Sequence, residues 1–360
     1  MSDKILIGVH NGPMHSDEVF GVAALSLIMD VDFVRTRDPE ILKKCDMRVD
    51  VGDNYNHATK DYDHHMAWFN VRHKPPYKKR MPDGTYKEFK EGPTRSGFGL
   101  IWLHYGLEII KEVISSAYSP EQLKRFREID YLDIFESLDN GFVSYIDAVD
   151  NGQQREFYLD QSPFRGSDLS RLISVYNPTV MEQQNWLRED TSDLQYAAQF
   201  QAAVNLAKII LRRDILNQSE LIYYRGPFMD KLSAMGENDQ ILVLDEFMPW
   251  AYAYNRAGNA TNGLEMMVYP SASGTWMCQT PYYYIKRDGG TYPSKMADGS
   301  QRRYKHQAPV DICGLRDQEL SDKVGIPDLV FVHKGGHLGV AKTKEGAIQL
   351  AQYFIDKSRK

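Results

Sequence analysis

Near its start the chain reads Ile5-Leu6-Ile7-Gly8-Val9-His10-Asn11-Gly12-Pro13-Met14-His15-Ser16-Asp17-Glu18, an apolar run followed by a loop and a helix signal. Ile5 to Val9 is short and apolar, which predicts a buried strand. His10 to Pro13 breaks that pattern, and Ser16 can cap a helix that runs from Asp17 to about Met29. The segment therefore predicts a strand, a loop and a helix in direct succession.

The following segments repeat this alternation. Val31 to Thr36 predicts a second strand, Asp38-Pro39 the start of a short helix, and Met47 to Val51 a third strand. Strands that alternate with helices favour a parallel, doubly wound sheet. The predicted fold class is α/β, with an N-terminal doubly wound parallel-sheet domain and a smaller C-terminal α/β domain.

The length of 360 residues predicts two domains, because roughly 100 to 200 residues is usual for one. Apolar residues at helical spacing from Leu194 to Leu216 predict a connector helix. We therefore divide the chain into a domain at residues 1–190, a connector helix at 191–218 and a second domain at 219–360. The second domain carries these predicted strands and a closing helix: Ile241 to Leu244, Met266 to Tyr269, Trp276 to Cys278, Leu329 to Val332, and the helix Lys344 to Phe354.

Composition limits the possible functions. The net charge of -6 and the pI near 6.0 argue against capture of nucleic acid by overall charge, so a polyanion must be met by a local basic strip. The strongest such strip is a basic insert from Arg72 to Glu91, predicted to be a hairpin or lid around Pro82-Asp83-Gly84. The 3 cysteines are far apart, which predicts neither a disulfide framework nor a thiolate zinc site. Without a signal-peptide pattern or a long apolar run, we expect a cytoplasmic protein with no membrane partner.

Half of the 10 histidines lie in the first 65 residues: His10, His15, His57, His64 and His65. His10 follows the first predicted strand, and His15 and Asp17 flank the start of the next helix. In an open α/β sheet, ligands bind outside the carboxyl ends of the strands, where this loop should lie.

Carboxylates are predicted at the same edge of the sheet. Asp50-Val51-Gly52-Asp53 ends the third strand, Asp63-His64-His65 follows it, and Asp147-Ala148-Val149-Asp150-Asn151-Gly152 adds another cluster. Imidazole and carboxylate ligands without thiolate favour Mn²⁺ or Mg²⁺, with zinc or iron as alternatives, and two such ions suit phosphate ester hydrolysis. Taken singly, each residue is more often a cap or a solvated side chain. Together, clusters at four predicted strand or helix ends indicate a metal site.

The order of these clusters resembles the four motifs of the DHH phosphoesterase superfamily. Six segments are similar to its Myg (melanocyte-proliferating-gene) exonuclease branch, also known as uncharacterised protein family 0160: Val9 to Gly12, Tyr62 to His65, Ser96 to Leu100, Ile146 to Gly152, Gly314 to Asp317 and Lys342 to Ala347. The similarity extends over nearly the whole chain. A single Asp-His-His triplet is a weak signal, whereas the ordered set is specific.

The resemblance implies two divalent metal ions, with Mn²⁺ favoured and Mg²⁺ as the alternative. The implied metal ligands are His10, His15, Asp17, Asp50, His64 and Asp150. Asp50 would bridge the ions, His65 would face the scissile phosphate, and Asp63 would orient the neighbouring imidazoles.

Two points of this ligand set stay open. His15 stands where many members of the superfamily have an aspartate, so the resemblance implies that the first metal carries more nitrogen ligands here. Asp147 competes with Asp150 for the last ligand position, and we favour Asp150 because Asn151-Gly152 follows it as in relatives.

In the second half, His333-Lys334-Gly335-Gly336-His337 resembles the Gly-Gly-His element of the DHH-associated substrate domain. Its glycines would let backbone N–H groups approach a phosphate, while Lys334 and His337 add charged donors. A simple turn that needs glycine for positive φ is the alternative. Arg316 is either an anchor for a substrate phosphate or part of an interdomain salt bridge.

Three aromatic residues are candidates for contacts with nucleic-acid bases. Trp250, Tyr269 and Trp276 could stack on the bases of a nucleic acid, but core packing is the simpler interpretation.

The implied activity is metal-dependent hydrolysis of phosphodiesters by a metal-bound hydroxide, with RNA or another single-stranded nucleic acid degraded from its 3′ end. The charge that develops would be stabilised by the metals, His65 and the Gly335-Gly336 turn. One alternative is a hydrolase of small phosphates such as pyrophosphate or short oligonucleotides, which the acidic chain favours. Another is a non-catalytic metal-binding module, against which the complete set of ligand types counts. Homo-oligomerisation is left open.

Overall fold

The computed structural model describes residues 4–74, 77–80, 86–157, 168–189, 191–257, 263–281, 284–287, 290–295, 301–302 and 304–358. The chain divides into two compact units, Met1–Ser219 and Glu220–Lys360. A single helix of 42 residues, Ser192–Ser233, overlaps the predicted connector and continues past residue 218. The roles assigned to the domains stay predictions.

The first unit is built from short strands and mostly short helices. Its strands are β1 Ile5–Val9, β2 Val31–Arg35, β3 Met47–Val49, β4 Tyr55–Asn56, β5 Asp61–Tyr62, β6 Tyr77–Arg80 and β7 Tyr86–Phe89. Its helices are α1 Ser16–Leu25, α2 Pro39–Leu42, α3 Gly97–Ser115, α4 Pro120–Leu123, α5 Glu128–Leu138, α6 Ser144–Asp150, α7 Gln154–Phe157, α8 Leu169–Ser174 and α9 Val180–Glu189. Helix α10, Ser192–Ser233, begins in this unit and ends in the second. A π-helical turn, Asp139–Val143, joins α5 to α6.

The main sheet of this unit has the strand order β2-β1-β3-β5-β4. The pairs β1–β2, β1–β3 and β3–β5 are parallel, and only the edge pair β4–β5 is antiparallel. The predicted α/β class with a parallel N-terminal sheet is therefore confirmed. Since β2 and β3 lie on opposite sides of β1, the strand order reverses between β1 and β3, the place where open α/β sheets bind ligands.

Helix α1 lies inside the unit, and every one of its residues is buried. Phe20 packs on Phe98 of α3 with ring centroids 5.5 Å apart. Gly21 allows α1 to approach β3 closely, because a Cβ there would lie 2.9 Å from a methyl group of Val49. This packing fixes the first turn of α1 beside the ends of β1 and β3.

Two predicted bounds are wrong, one by four residues and the other by two. The helix expected to reach Met29 ends at Leu25, since the N–H groups of Leu27 and Ile28 bond three residues back and tighten the chain into turns. The strand expected to reach Val51 ends at Val49, because Asp50 has a φ of +56° and leaves the extended conformation.

The basic insert forms the predicted hairpin. Strands β6 and β7 pair antiparallel, with Tyr77 opposite Phe89 and Arg80 opposite Tyr86. The predicted Pro82-Asp83-Gly84 turn lies outside the described residues.

The second unit contains a sheet of order β14-β15-β10-β9-β8. Its strands are β8 Ile241–Val243, β9 Met266–Pro270, β10 Trp276–Gln279, β11 Tyr284–Arg287, β12 Gly290–Lys295, β13 Gln301–Arg302, β14 Leu329–Val332 and β15 Leu338–Ala341. Its further helices are α11 Trp250–Ala257, α12 Asp317–Val324 and α13 Lys344–Ser358. The pair β8–β9 is parallel, and the other pairs of this sheet are antiparallel.

Helix α13 covers this sheet with a stripe of buried apolar residues that includes Leu350 and Phe354. Strand β15 is absent from the sequence prediction, because Gly339 weakens its strand pattern. The glycine is needed for packing, since a Cβ there would lie 2.5 Å from a methyl carbon of Leu350.

The aromatic residues considered for base stacking lie mainly in the core. Trp250 begins a helix rather than a strand, and it and Tyr269 are buried in one apolar cluster, while Trp276 is partly buried. Core packing is therefore the observed role of Trp250 and Tyr269. Among the described residues, no helix is both long and apolar enough to cross a membrane. Location in the cytoplasm stays a prediction.

Candidate metal centre

The side chains of this site come from the carboxyl ends of three neighbouring parallel strands and from two helix ends. His10 follows β1, Asp50 follows β3, and His64 comes two residues after β5. Asp17 lies in the first turn of α1, and Asp150 ends α6. The fold thus collects residues that are up to 140 positions apart in sequence.

Asp50 lies at the centre of this group. Its Oδ2 is 3.2 Å from Nε2 of His10, and its Oδ1 is 3.1 Å from Nε2 of His64. Oδ1 also lies 3.4 Å from Nδ1 of His65. Each oxygen therefore faces a different histidine, and the positive φ of Asp50 turns its carboxylate out of the strand direction.

The remaining predicted ligands lie beside His64 and beside one another. Its Nε2 is 3.2 Å from Oδ2 of Asp150 and 3.8 Å from Oδ2 of Asp17. Nδ1 of His15 is 3.8 Å from Oδ1 of Asp150. All six residues expected to ligate metal are therefore brought together.

Three overlapping groups of these residues have ligand atoms within 4.8 Å of one another and could each hold an ion. They are His10 with His15, Glu18 and Asp50; Asp50 with His64 and His65; and His15 with Asp17 and Asp150. Asp50 and His15 each belong to two groups. The clustering therefore has room for more than one ion with shared ligands.

Several buried polar atoms of the cluster have no hydrogen-bond partner. They are Nε2 of His10, Oδ1 of Asp17, both carboxylate oxygens of Asp50 and Nε2 of His64. Leaving such atoms buried and unpaired costs about 1 to 3 kcal/mol each, and more when the group is charged. A divalent cation accepts lone pairs from carboxylate oxygens and neutral imidazoles alike, so the donor set fits a metal.

Burial and crowding of acids shift the protonation of the site. Burial raises the pKa of Glu18 to about 8, against the opposing effect of His10. Burial, followed by repulsion from Asp150 and Asp50, raises the pKa of Asp17 well above its usual range. A dication beside these carboxylates would relieve that repulsion and favour their ionised forms.

The pKa of His64 is raised as well, but for a histidine a raised pKa favours the charged form. Burial disfavours the charged form of His64, but the carboxylates of Asp150 and Asp50 outweigh it and raise the pKa of His64 to about 10. Burial likewise opposes ionisation of Asp50, but His10 and His64 outweigh it and hold the pKa of Asp50 below its usual range. In the metal-free protein, protonated His64 therefore supplies part of the positive charge that the acids need.

Asp63 lies beside the cluster and holds its loop. Its Oδ1 accepts from Nδ1 of His65 at 2.8 Å and from the backbone N–H of His64 at 2.7 Å. Its Oδ2 accepts from the N–H of Asp53 at 2.7 Å. These contacts fix the ring of His65, whose side chain is 56% exposed.

The two candidate aspartates of α6 point to different places. Asp147 is fully buried and accepts from Oγ of Ser96 at 2.7 Å, from the N–H of Gly99 at 3.1 Å and from Nε2 of His73 at 2.7 Å. Asp150 is the one that lies beside His64. Of the two, Asp150 is therefore the one placed among the candidate ligands, and its role as a ligand stays a prediction.

Glu18 belongs to the cluster although the sequence analysis does not include it. Its carboxylate is 3.3 Å from Nε2 of His10 and accepts from the backbone N–H of His15 at 2.9 Å. A glutamate three residues after a helix cap is typical of a capping box, so the sequence pattern alone does not indicate that Glu18 also lies among the candidate metal ligands. Conversely, His57 lies elsewhere, stacked on His104 with centroids 3.8 Å apart.

The predicted phosphate-binding turn joins β14 to β15 in the second unit. Its backbone groups bond within the turn, since Gly335 donates to Nδ1 of His333 at 2.9 Å and Gly336 donates to the carbonyl of His333 at 2.8 Å. Gly336 has a φ of +67°. Nδ1 of His337 is buried without a hydrogen-bond partner. Lys334 is exposed.

Arg316 precedes α12, and its guanidinium carbon lies 4.6 Å from the ring centroid of Phe331. This contact holds the side chain against β14. Both roles predicted for Arg316 stay predictions.

Comparison with known proteins places the chain among sequences of similar length. The MYG1 protein YER156C of Saccharomyces cerevisiae is 28% identical over 97% of this chain and 95% of its own. The human MYG1 exonuclease is 26% identical over 96% of this chain and 84% of its own. The solved structure of RecJ from Thermus thermophilus in complex with Mg²⁺ aligns with 14% identity and a TM-score of 0.23 over 98% of this chain and 50% of that chain, which is too low to bear on the fold.

The model of the MYG1 exonuclease family, described as Uncharacterised protein family (UPF0160), matches residues 6–355. The match includes every segment on which the predicted resemblance rests. The chain therefore belongs to this family.

Proposed function

We propose that the protein is a metal-dependent phosphodiester hydrolase that acts as an exonuclease on RNA or another single-stranded nucleic acid. The observation that carries the proposal is the convergence of buried, unpaired nitrogen and oxygen atoms of His10, Asp17, Asp50 and His64 on one point at the sheet edge. Relatives named MYG1 exonuclease support the nucleic-acid substrate.

The proposed ligands are His10, His15, Asp17, Asp50, His64 and Asp150, to which the geometry adds Glu18. Asp50 is proposed as the bridge because its two oxygens face different histidines. Two divalent ions held by these residues would supply activation of water and neutralisation of the charge on a phosphoryl group. Nitrogen and oxygen ligands without thiolate favour Mn²⁺, with Mg²⁺ as the alternative.

His65 is proposed to contact the scissile phosphate. Its Nδ1 is held by Asp63, which leaves Nε2 to donate to a phosphate oxygen. The hydrogen bond to Asp63 raises the pKa of His65, so the ring keeps its positive charge to a higher pH than a free histidine. Such a donor stabilises the negative charge that develops during attack.

In the second unit, Lys334 and His337 are proposed as donors to the substrate backbone, with Arg316 as a further anchor. The N–H groups of Gly335 and Gly336 already bond within their turn, so the glycines act mainly by shaping it. Degradation from the 3′ end is the polarity that the family resemblance implies.

The test uses purified protein stripped of metal and then supplied with Mn²⁺ or Mg²⁺. The substrates are RNA labelled at either end, pyrophosphate and bis(p-nitrophenyl) phosphate. We expect metal to restore stepwise shortening of RNA labelled at its 5′ end. Cleavage of pyrophosphate alone would contradict the proposed substrate, and cleavage without metal would contradict the mechanism.

Variants separate the ligands from the substrate contact. His10→Ala should lose both metal and turnover. His65→Ala should keep its metal and lower turnover by roughly 100-fold, as expected for the loss of a donor to the reacting phosphate. His57→Ala is the matched control, because His57 lies outside the cluster, and it should keep both.

A further inference from the structure

A cavity of about 840 Å³ opens beside the candidate metal centre and lies wholly within the first unit. Asp50 and His65 line one side of it, and residues of α2 and of the loop after β3 line the rest. Ligand pockets usually have volumes of roughly 300 to 1,000 Å³. The cavity is therefore large enough for an organic ligand that reaches the metal centre.

Besides the acidic residues Asp53 and Asp63, the rest of the lining combines positive charge with apolar surface. Arg37 and Lys43 supply the charge, while Pro39, Leu42 and Val51 supply the apolar surface. This combination suits a ligand with both an anionic and a flat or apolar part. Inorganic phosphate or pyrophosphate would use the charge but leave the apolar surface uncovered.

The positively charged residues that line the cavity differ in how strongly they already pair with other residues of the protein. Arg48 is committed to the fold, since it pairs with Asp61 and donates to the carbonyl of Cys45 at 2.8 Å. Arg37 donates to Asn11, next to His10. Lys43 pairs with Glu40 at 2.6 Å, but both side chains are exposed, 70% and 74% respectively, and such pairs are weak. Lys43 can therefore be recruited by a phosphate at little cost.

We propose that this cavity is the subsite for the terminal nucleotide of the substrate, with the nucleoside against Pro39, Leu42 and Val51 and the phosphate charge balanced by Lys43 and Arg37. The inference rests on the proposed function and deepens it, because it assigns a nucleotide rather than a small inorganic phosphate.

The chain itself supplies a matched control for Lys43. The segment Pro39-Glu40-Ile41-Leu42-Lys43 resembles Pro120-Glu121-Gln122-Leu123-Lys124, with one difference in the middle, and each begins with a four-residue helix. Lys124 pairs with Glu121 at 2.6 Å, with side-chain exposures of 72% and 81%. Lys43→Glu and Lys124→Glu therefore change the same pair in the same local structure, and only the first alters the cavity wall. Arg37 is less suitable because its loss would also disturb the loop that carries His10.

The experiment measures binding by calorimetry in the presence of Mn²⁺, with adenosine 5′-monophosphate, adenosine and inorganic phosphate as probes. We expect wild type to bind the monophosphate at least tenfold more tightly than either fragment. Lys43→Glu should weaken that binding by roughly tenfold, the usual value of a charge-assisted contact, and Lys124→Glu by less than about twofold. Unchanged melting temperatures would show that both variants are folded.

Equal binding of the monophosphate by Lys43→Glu and Lys124→Glu would overturn the subsite. So would equal affinity of wild type for the monophosphate and inorganic phosphate. Because binding is measured without turnover, the two proposals fail separately. If the protein cleaves RNA but Lys43→Glu has no effect, only the subsite is contradicted. If nucleotide binding depends on Lys43 but no phosphodiester is cleaved, only the proposed function is contradicted.

Discussion

Asp50 has the strained backbone that its position requires. Its φ of +56° is uncommon outside glycine, and both of its carboxylate oxygens are buried without hydrogen bonds. Strain and unpaired burial both lower stability, and they persist where a site depends on them. The geometry therefore indicates that Asp50 is kept for its carboxylate rather than for the fold.

Replacing Asp50 by asparagine should remove the charge while keeping the shape. We expect Asp50→Asn to lower Mn²⁺ content by at least about tenfold, since a bridging carboxylate contributes to both ions. Its unfolding free energy without metal should fall at neutral pH, because the pairing with His10 and His64 that lowers the pKa of Asp50 is lost. Asp53→Asn is the control, since Asp53 also has a positive φ of 52° but is exposed. Elemental analysis after dialysis provides the measurement, and equal metal loss in both variants would remove Asp50 from the ligand set.

His73 is a buried histidine whose contacts stabilise the fold beneath the site. It lies 3.1 Å from Oδ2 of Asp139 and 2.7 Å from Oδ2 of Asp147, while Arg95 donates to both oxygens of Asp139. Burial opposes charge on His73, but Asp139 and Asp147 outweigh it and raise its pKa above 6.5. Burial also opposes charge on Asp139, but His73 and Arg95 outweigh it and hold its pKa below 3.8.

These shifts predict how the contribution of His73 to stability depends on pH. The charged form of His73 stabilises the folded protein fully below pH 6.5, and this contribution is lost as the pH rises through the pKa that His73 has in the folded protein. The ionised form of Asp139 stabilises the folded protein fully above pH 3.8, and this contribution is lost as the pH falls through the pKa that Asp139 has in the folded protein. The difference in unfolding free energy between wild type and His73→Gln should therefore be greatest between these limits, at about 3 kcal/mol. A difference that does not change with pH, or an equal profile for His57→Gln, would contradict a charged His73.

At the scale of elements, α3 approaches α6 through a glycine. A Cβ on Gly99 would lie 1.7 Å from Oδ2 of Asp147, so the backbone N–H of Gly99 can reach this carboxylate only when no side chain is present. The contact joins α3 to the helix that ends in Asp150. Packing of α3 on α6 therefore helps to position a proposed ligand from a distance.

Gly99→Ala should displace Asp147 and destabilise the protein by about 1 to 3 kcal/mol, the usual cost of an added carbon in a packed interior. Gly141→Ala is the control, because a Cβ there meets nothing within 4 Å in the π-helical turn. It should be neutral or slightly stabilising. Urea unfolding of both variants measures the difference, and equal stability would mean that α3 and α6 adjust without cost.

The elements that the sequence predicts best are those specified by local pattern. Strand β1 and the approximate start of α1 follow from a single apolar run and a Gly-Pro break within the first segment, whereas the predicted cap Ser16 is wrong, since His15 caps the helix and Ser16 is its first residue. Glu18 and β15 were not predicted, because each local pattern has a commoner explanation: a capping glutamate in one case and a glycine-containing loop in the other. The choice between Asp147 and Asp150 depends on which side of α6 meets α3, and that is set by contacts between residues about 50 positions apart.

At the scale of the whole molecule, a chain of net charge -6 must meet a polyanion through local cations. The hairpin insert offers Lys74, Lys87 and Lys90, which are all exposed. Each phosphate contact lowers log affinity by about 0.7 per tenfold increase in salt for single strands. Replacing all three by glutamine should therefore flatten that slope by about 2 if each contacts a phosphate.

The control for this triple variant is glutamine at three exposed lysines outside the insert: Lys124, Lys323 and Lys342. Oligonucleotide binding across a salt series measures the slope for both. Cleavage of a dinucleotide should be unaffected by the insert variant, because the insert is expected to contact only a longer strand. An unchanged slope would make the strip a solvated surface and favour small substrates.

The central claim is that the first unit binds two metal ions through the clustered His and Asp side chains. Anomalous diffraction from crystals grown with Mn²⁺, recorded at the manganese absorption edge, tests it most directly. The account predicts two peaks with Asp50 between them, one near His10 and Glu18 and the other near His64 and Asp150. A map without peaks at this edge of the sheet, with these side chains turned away from one another, would contradict it.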